Sequence, residues 1–119
     1  MQVQYLEIVT TKVDETCAAL AKLNGASLNA ASFSAPKPLF GNARTAQLAG
    51  GGRIGVRASM RADEAPVVRP YMRVDNIETA SAAIEAAGGT FAMTATDMPG
   101  EGKFAIYLLG GIEHGLWEP

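Results

Sequence analysis

Residues Leu48–Arg57 read LAGGGRIGVR, and residues Leu108–Trp117 read LLGGIEHGLW. Laid side by side, Gly50, Gly51 and Gly55 face Gly110, Gly111 and Gly115. In each stretch the glycines lie among apolar and β-branched residues, and glycine supplies the backbone conformations that a tight reversal of the chain needs. Both stretches therefore read as glycine-closed hairpins, two copies of one device. A phosphate-cradling loop at Gly50-Gly51-Gly52 is the poorer reading, because the run joins two strands and lacks the lysine and helix start of such loops.

The same repetition continues outward. Gln4–Thr10 (QYLEIVT) and Arg69–Val74 (RPYMRV) are rich in strand-forming residues, and each leads into a helical pattern. Thr11 followed by Asp14, and Asp75 followed by Glu78, predict capping boxes at the two helix starts. One stripe carries Val13, Cys17, Leu20 and Asn24, the other Ile77, Ala80, Ile84 and Ala87, so each helix packs one face. Gly25 and Gly89 mark the stops. Further strands are expected over Ser27–Phe33, Arg44–Leu48, Thr90–Met93 and Phe104–Leu109. Each half thus reads βαβββ, an α+β domain spanning residues 1–119 as two modules of about 1–60 and 68–119. Met60–Val68 (MRADEAPVV), with its charges and Pro66, is the connector.

With 119 residues, 48% of them hydrophobic, the chain is the size of one domain with enough apolar mass for a core. A net charge of -2 without a run of like charges offers nothing to nucleic acid phosphates. The start MQVQYLEIVT lacks the pattern of a secretory leader, and no apolar run is long enough to span a bilayer, so a cytoplasmic protein without a membrane partner is expected. Cys17 is the only cysteine, which excludes an intrachain disulfide and a thiolate zinc cluster. It reads as a small apolar residue of the helix face.

Two βαβββ units with G-G-x-x-x-G near the end of each resemble the vicinal oxygen chelate superfamily, the class of glyoxalases, bleomycin-resistance proteins and extradiol dioxygenases. The resemblance covers nearly the whole chain. It implies curved mixed sheets that enclose a cavity, formed within one chain or between two chains of a homodimer, and a divalent metal held by the first and last strands of each unit. Those positions fall on Tyr5 and Arg69 in the first strands and on Arg57 and Trp117 in the last. Arginine has no lone pair to offer, tryptophan only donates, and tyrosine ligates chiefly when ionised. Glu7 alone is a poor cage, and His114 is the only histidine and lies on the opposite strand parity to Trp117. No metal and no other cofactor is therefore expected, and His114 reads as a surface or turn residue.

Strand parity sends Tyr5, Glu7, Arg57, Arg69, Tyr71 and Trp117 to the concave side, making them the candidate ligand-binding residues. Glu7 neutralises one arginine; the other is expected either to meet an anionic ligand or to reach solvent at the rim. Tyr71 and Trp117 serve equally as core or as stacking surfaces. The loops Ser34–Ala43 and Thr94–Lys103 flank the mouth, and Leu39 and Phe40 require cover from a ligand or a second subunit. The leading reading is a metal-independent protein that binds an anionic or aromatic small molecule. Beside it stand a metal-free enzyme with Glu7 as general base and Arg57 or Arg69 stabilising an oxyanion, and an atypical metal-dependent lyase, isomerase or dioxygenase. An interaction domain whose cavity is filled by its own side chains is the remaining alternative.

Overall fold

A computed structural model describes residues 1–24 and 33–119, and the chain divides into two compact units. The N-terminal unit is Tyr5–Val68; the C-terminal unit joins Met1–Gln4 to Arg69–Pro119. The expected strand over Ser27–Phe33, apart from Phe33, lies outside the described residues, as do the stop at Gly25 and the side chain of Asn24.

In the N-terminal unit, β1 (Val3–Val9) pairs in parallel with β3 (Arg53–Arg57), and β2 (Arg44–Gln47) pairs antiparallel with β3. Alternation along the strands sends Leu6, Ile8, Ala46, Ile54 and Val56 toward α1 (Val13–Asn24), where Cys17, Val13, Leu20 and Phe33 complete a core. Cys17 is buried there, and loss of solvation raises its thiol pKa, so it behaves as the apolar residue expected. The opposite face carries Tyr5, Glu7, Thr45, Arg53 and Arg57.

The C-terminal unit repeats the plan. Parallel pairing joins β4 (Val67–Arg73) to β7 (Ile112–Glu118), and antiparallel ladders add β6 (Gly102–Leu109) and β5 (Thr90–Met98). The Arg73 N–H donates to the Gln2 carbonyl, which ties the first residues to this unit. Ile77 of α2 (Ile77–Ala86), Ala105 and Leu116 form its core, with Ala80, Ile84, Phe91 and Tyr107 packed around them. This half is βαβββ in full, and mixed strands with a helix in each unit are the α+β class expected.

Several local expectations need correction. α1 begins at Val13, so Lys12 and not Thr11 precedes its first turn, and Asp14 pairs with Arg44 instead of closing a box. In α2 the cap is Asn76, whose side chain accepts from the Thr79 N–H at 2.8 Å; Asp75 lies one residue outside. Glu78 turns to Lys103. The positive φ that ends this helix belongs to Gly88, not Gly89. Val67 and Val68 already belong to β4, which shortens the connector.

The supposed loop Thr94–Lys103 is mostly strand, reversing only at Pro99–Glu101, where the Glu101 N–H donates to the Met98 carbonyl. Register shifts after Phe91 and Met93 give β5 the kinks that disguise its alternation. Within Ser34–Ala43, a 3-10 turn over Pro38–Phe40 followed by left-handed Gly41 and Asn42 rolls Phe40 inward and leaves Leu39 exposed.

Candidate functional site

On the sheet face of the N-terminal unit away from α1, Arg57 is the hub of a buried ion network. Its Nε donates to Glu7 Oε2 at 2.8 Å, while Nη1 and Nη2 meet the two oxygens of Glu64, each at 2.8 Å. Nη1 also donates to the Ala58 carbonyl at 3.1 Å. The side chains of Arg57, Glu7 and Glu64 are 3%, 9% and 7% exposed. Donating to Glu64 raises the Arg57 guanidinium above its ordinary range against the pull of burial, and the same bonds hold the Glu64 carboxyl at about 2. The Met60 N–H donates to Glu64 as well, so the segment after β3 is folded back onto its last residue.

The rest of this face is filled from within. Phe40 packs on the Tyr5 ring, with centroids 5.3 Å apart, and Arg53 lies over Phe40 at 5.3 Å. Gly55 carries no side chain because the Tyr5 ring occupies the space where a Cβ would stand.

The corresponding face of the C-terminal unit is aromatic. Tyr71 lies over Gly115, its register partner. Trp117 meets Tyr71 edge-on at 5.9 Å and Phe104 in a stacked arrangement at 6.0 Å. The Trp117 indole donates to the Glu101 carbonyl at 2.9 Å, which satisfies its only polar atom. The register continues the apolar strip from Phe104 through Ile106, opposite Gly115, to Leu108, opposite Glu113; Met93 of β5 faces Ile106. Phe104 and Ile106 are half-buried, while Leu108 and Met93 are exposed. At the edge of this strip the buried Arg69 donates from Nη2 to Glu113 Oε1 at 2.7 Å.

The six candidate residues thus divide: Tyr5, Glu7 and Arg57 lie on the face of one unit, Arg69, Tyr71 and Trp117 on that of the other. The arginines do not stand as expected. Glu7 neutralises Arg57 together with Glu64, and Arg69 neither waits for an outside anion nor reaches solvent, since it is buried against Glu113. Glu64 and Glu113 are the residues the sequence reading missed. Glu113 had a signal, its shared strand parity with Gly115 and Trp117. Glu64 had none, because it comes from an irregular segment whose path no periodicity predicts.

As a general base Glu7 is poorly placed, with one oxygen already accepting from Arg57. A metal does not fit the four positions that the resemblance assigned to it. Arg57 and Arg69 are engaged as donors, Trp117 donates to a carbonyl, and Tyr5 packs its ring against Phe40. Among the described residues no three of His, Cys, Asp and Glu gather to hold an ion. His114 lies within β7, not in the turn, stacked on Tyr107 with centroids 5.0 Å apart and with Nε2 3.1 Å from the Leu109 carbonyl.

No family model matches this chain, and no curated protein matches it in sequence. Solved structures do match it in shape. The methylmalonyl-CoA epimerase of Mycobacterium tuberculosis is similar at a TM-score of 0.72 and 14% identity, over 98% of this chain and 87% of that one. A hypothetical protein of Bacillus halodurans gives 0.69 at 13% identity, over 99% and 94%. A variant of the Streptomyces coelicolor methylmalonyl-CoA epimerase, in complex with 2-nitronate-propionyl-CoA, gives 0.64 at 13%, over 99% and 96%. Likeness at such identity is likeness of fold, and it agrees with the repeated βαβββ order: the fold of this chain is that of the vicinal oxygen chelate superfamily.

Proposed function

We propose that this chain is a metal-independent, cytoplasmic, homodimeric protein that binds a small, flat, largely apolar molecule on the aromatic face of its C-terminal unit. The observation that carries the reading is the strip Phe104, Ile106 and Leu108, running beside Tyr71 and Trp117 and left partly open at Leu108 and Met93. Aromatic faces beside an uncovered apolar strip suit a planar ligand, with stacking that adds about 0.5–1.5 kcal/mol to area burial. The arginines have carboxylate partners within the chain, so apolar contact supplies the main recognition. No helix among the described residues is long and apolar enough to cross a membrane, which accords with the proposed location.

Trp117 is the only tryptophan and sits in the aromatic cluster, so its emission reports occupancy directly. A panel of neutral planar aromatics is expected to shift that emission saturably and to raise the melting temperature. Unchanged emission and unchanged melting across the panel would overturn the reading. The alternative of an interaction domain would then stand, favoured by Phe40 filling the face of the N-terminal unit.

A further inference from the structure

The carboxylates that meet the two buried arginines are used to different extents. Glu64 engages both oxygens: Oε1 accepts from Arg57 and from the Met60 N–H, and Oε2 accepts from Arg57. Glu113 accepts from Arg69 Nη2 through Oε1 alone, at 2.7 Å, and among the described residues nothing donates to its Oε2. Its side chain is 38% exposed, so this carboxylate stands at a rim and not in the core. With one oxygen held by a buried guanidinium the group is limited in rotation, and the other oxygen remains a charged acceptor.

That acceptor borders the open part of the aromatic face. Across the C-terminal unit, Tyr71, Gly115, Ile106 and Met93 form one registered row, and Glu113, Leu108 and Thr90 form the next. Residues directly opposite in an antiparallel ladder have Cβ atoms about 4.5–5.5 Å apart, so a ring resting on Leu108 has an edge within reach of Glu113. Leu108 and Met93 are exposed, so this is also where a ring covers the most apolar surface. Charge selects what the edge carries. A carboxylate on the ligand would meet Glu113 and an ammonium would meet Arg69, whereas a neutral N–H or O–H finds an acceptor and opposes neither charge. We infer that the ligand of the aromatic face is a neutral planar aromatic with a hydrogen-bond donor on its edge, of the indole or phenol kind, which donates to Glu113 Oε2. Arg69 keeps its own contacts throughout and acts as the positioning residue for Glu113. This rests on the reading that the aromatic face binds planar molecules, and it adds the polar group that is recognised and the residue that recognises it.

An isostere without the donor makes the test. Indole and benzofuran share a shape, and benzofuran has a ring oxygen where indole has its N–H. Both are titrated by calorimetry into the full chain and into Glu113→Gln, after thermal melts establish that the variant folds. The parent is expected to bind indole roughly tenfold more tightly than benzofuran, the worth of one hydrogen bond to a charged acceptor. In Glu113→Gln the amide oxygen stays on Arg69, which leaves an NH2 group where the acceptor was. The preference should shrink there to within about twofold, while benzofuran keeps its parent affinity to within about twofold. If the amide variant does not fold, Glu113→Asp takes its place, since it keeps the charge but draws the oxygens back by one methylene, and the same loss of preference is expected. Equal binding of the two compounds by the parent, an arm that needs no variant, overturns the donor and leaves the aromatic-face reading standing. A preference that persists in the variant puts the acceptor elsewhere and overturns the assignment to Glu113. If neither compound binds the parent, the aromatic-face reading falls and the donor falls with it.

Discussion

Arg57 shows how one residue organises a small domain. Its guanidinium joins β1 through Glu7 and the segment after β3 through Glu64, and its Cδ lies beside Gly41, where Met60 also packs. Removing the cation leaves two carboxylates buried together, so Arg57→Met is expected to cost about 3–5 kcal/mol in urea unfolding. Glu64→Gln keeps the Glu7 bond and should cost less, about 1–3 kcal/mol. Equal losses for the two would mean that Glu64 and not Arg57 is the hub. The pH dependence has a definite sign: Glu64 titrates lower in the folded chain than in the unfolded one, so its contribution is present at neutral pH. It fades as pH falls from the ordinary carboxyl range toward about 2, the value at which Arg57 holds it. Glu64→Gln should therefore narrow its deficit across that window, which parallel denaturation curves would record. The metal positions make a further residue-scale case. Zinc, nickel, manganese or ferrous iron should leave the melting temperature unmoved, because the four side chains at those positions offer stacking, donors or engaged cations, and a saturable rise with any one would refute it.

Each unit pairs a first strand with its last strand and places a tyrosine ring over a glycine of the last strand, Tyr5 over Gly55 and Tyr71 over Gly115. The added methyl of Gly115→Ala would meet the Tyr71 ring closer than van der Waals contact, with Trp117 blocking retreat on one side. A loss of about 1–3 kcal/mol is expected, as for other overpacked sites. Trimming the ring should recover part of it, so a double-mutant cycle between Gly115→Ala and Tyr71→Leu should show a coupling of at least about 0.5 kcal/mol. Simple additivity would show that the ring has room to move. These glycines also mark how far the sequence could be read. Matching Gly50, Gly51 and Gly55 to Gly110, Gly111 and Gly115 revealed the repeat because glycine is placed by backbone need. The capping-box patterns at Asp75 and Thr11 stand one residue ahead of the helix starts, since Asp14 and Glu78 suit a capping box and a salt bridge equally well. The strand over Thr94–Met98 was hidden by bulges, and Phe40 by a left-handed turn at Gly41-Asn42 that no apolar period announces. Faces were legible from parity; the carboxylates that close them, Glu64 and Glu113, depended on chain paths that parity does not set.

At the scale of the molecule, the case for the proposed homodimer is apolar surface that the chain leaves exposed. Phe40, one of the two residues that first suggested a partner, is buried on Tyr5, but Leu39 remains exposed. At the β6–β7 hairpin, Leu108, Leu109 and Ile112 are exposed around the Gly110-Gly111 turn. That turn has positive φ at both glycines, the geometry of a tight two-residue reversal, so the apolar residues are carried on a rigid tip. A tip of leucine and isoleucine in water favours association, and self-association by an isologous patch is the commonest form it takes in small soluble proteins. Sedimentation velocity at roughly tens of micromolar, a concentration above the dissociation constant of an ordinary specific dimer, should return twice the monomer mass. Ile112→Lys should shift the distribution to monomer while leaving the aromatic cluster and its Trp117 emission unchanged, because Ile112 lies at the far end of β7 from Trp117. A parent chain that sediments as a monomer at that concentration would overturn the dimer. A parent dimer that Ile112→Lys fails to dissociate would place the interface elsewhere, and Leu39→Lys is the variant that then tests the loop.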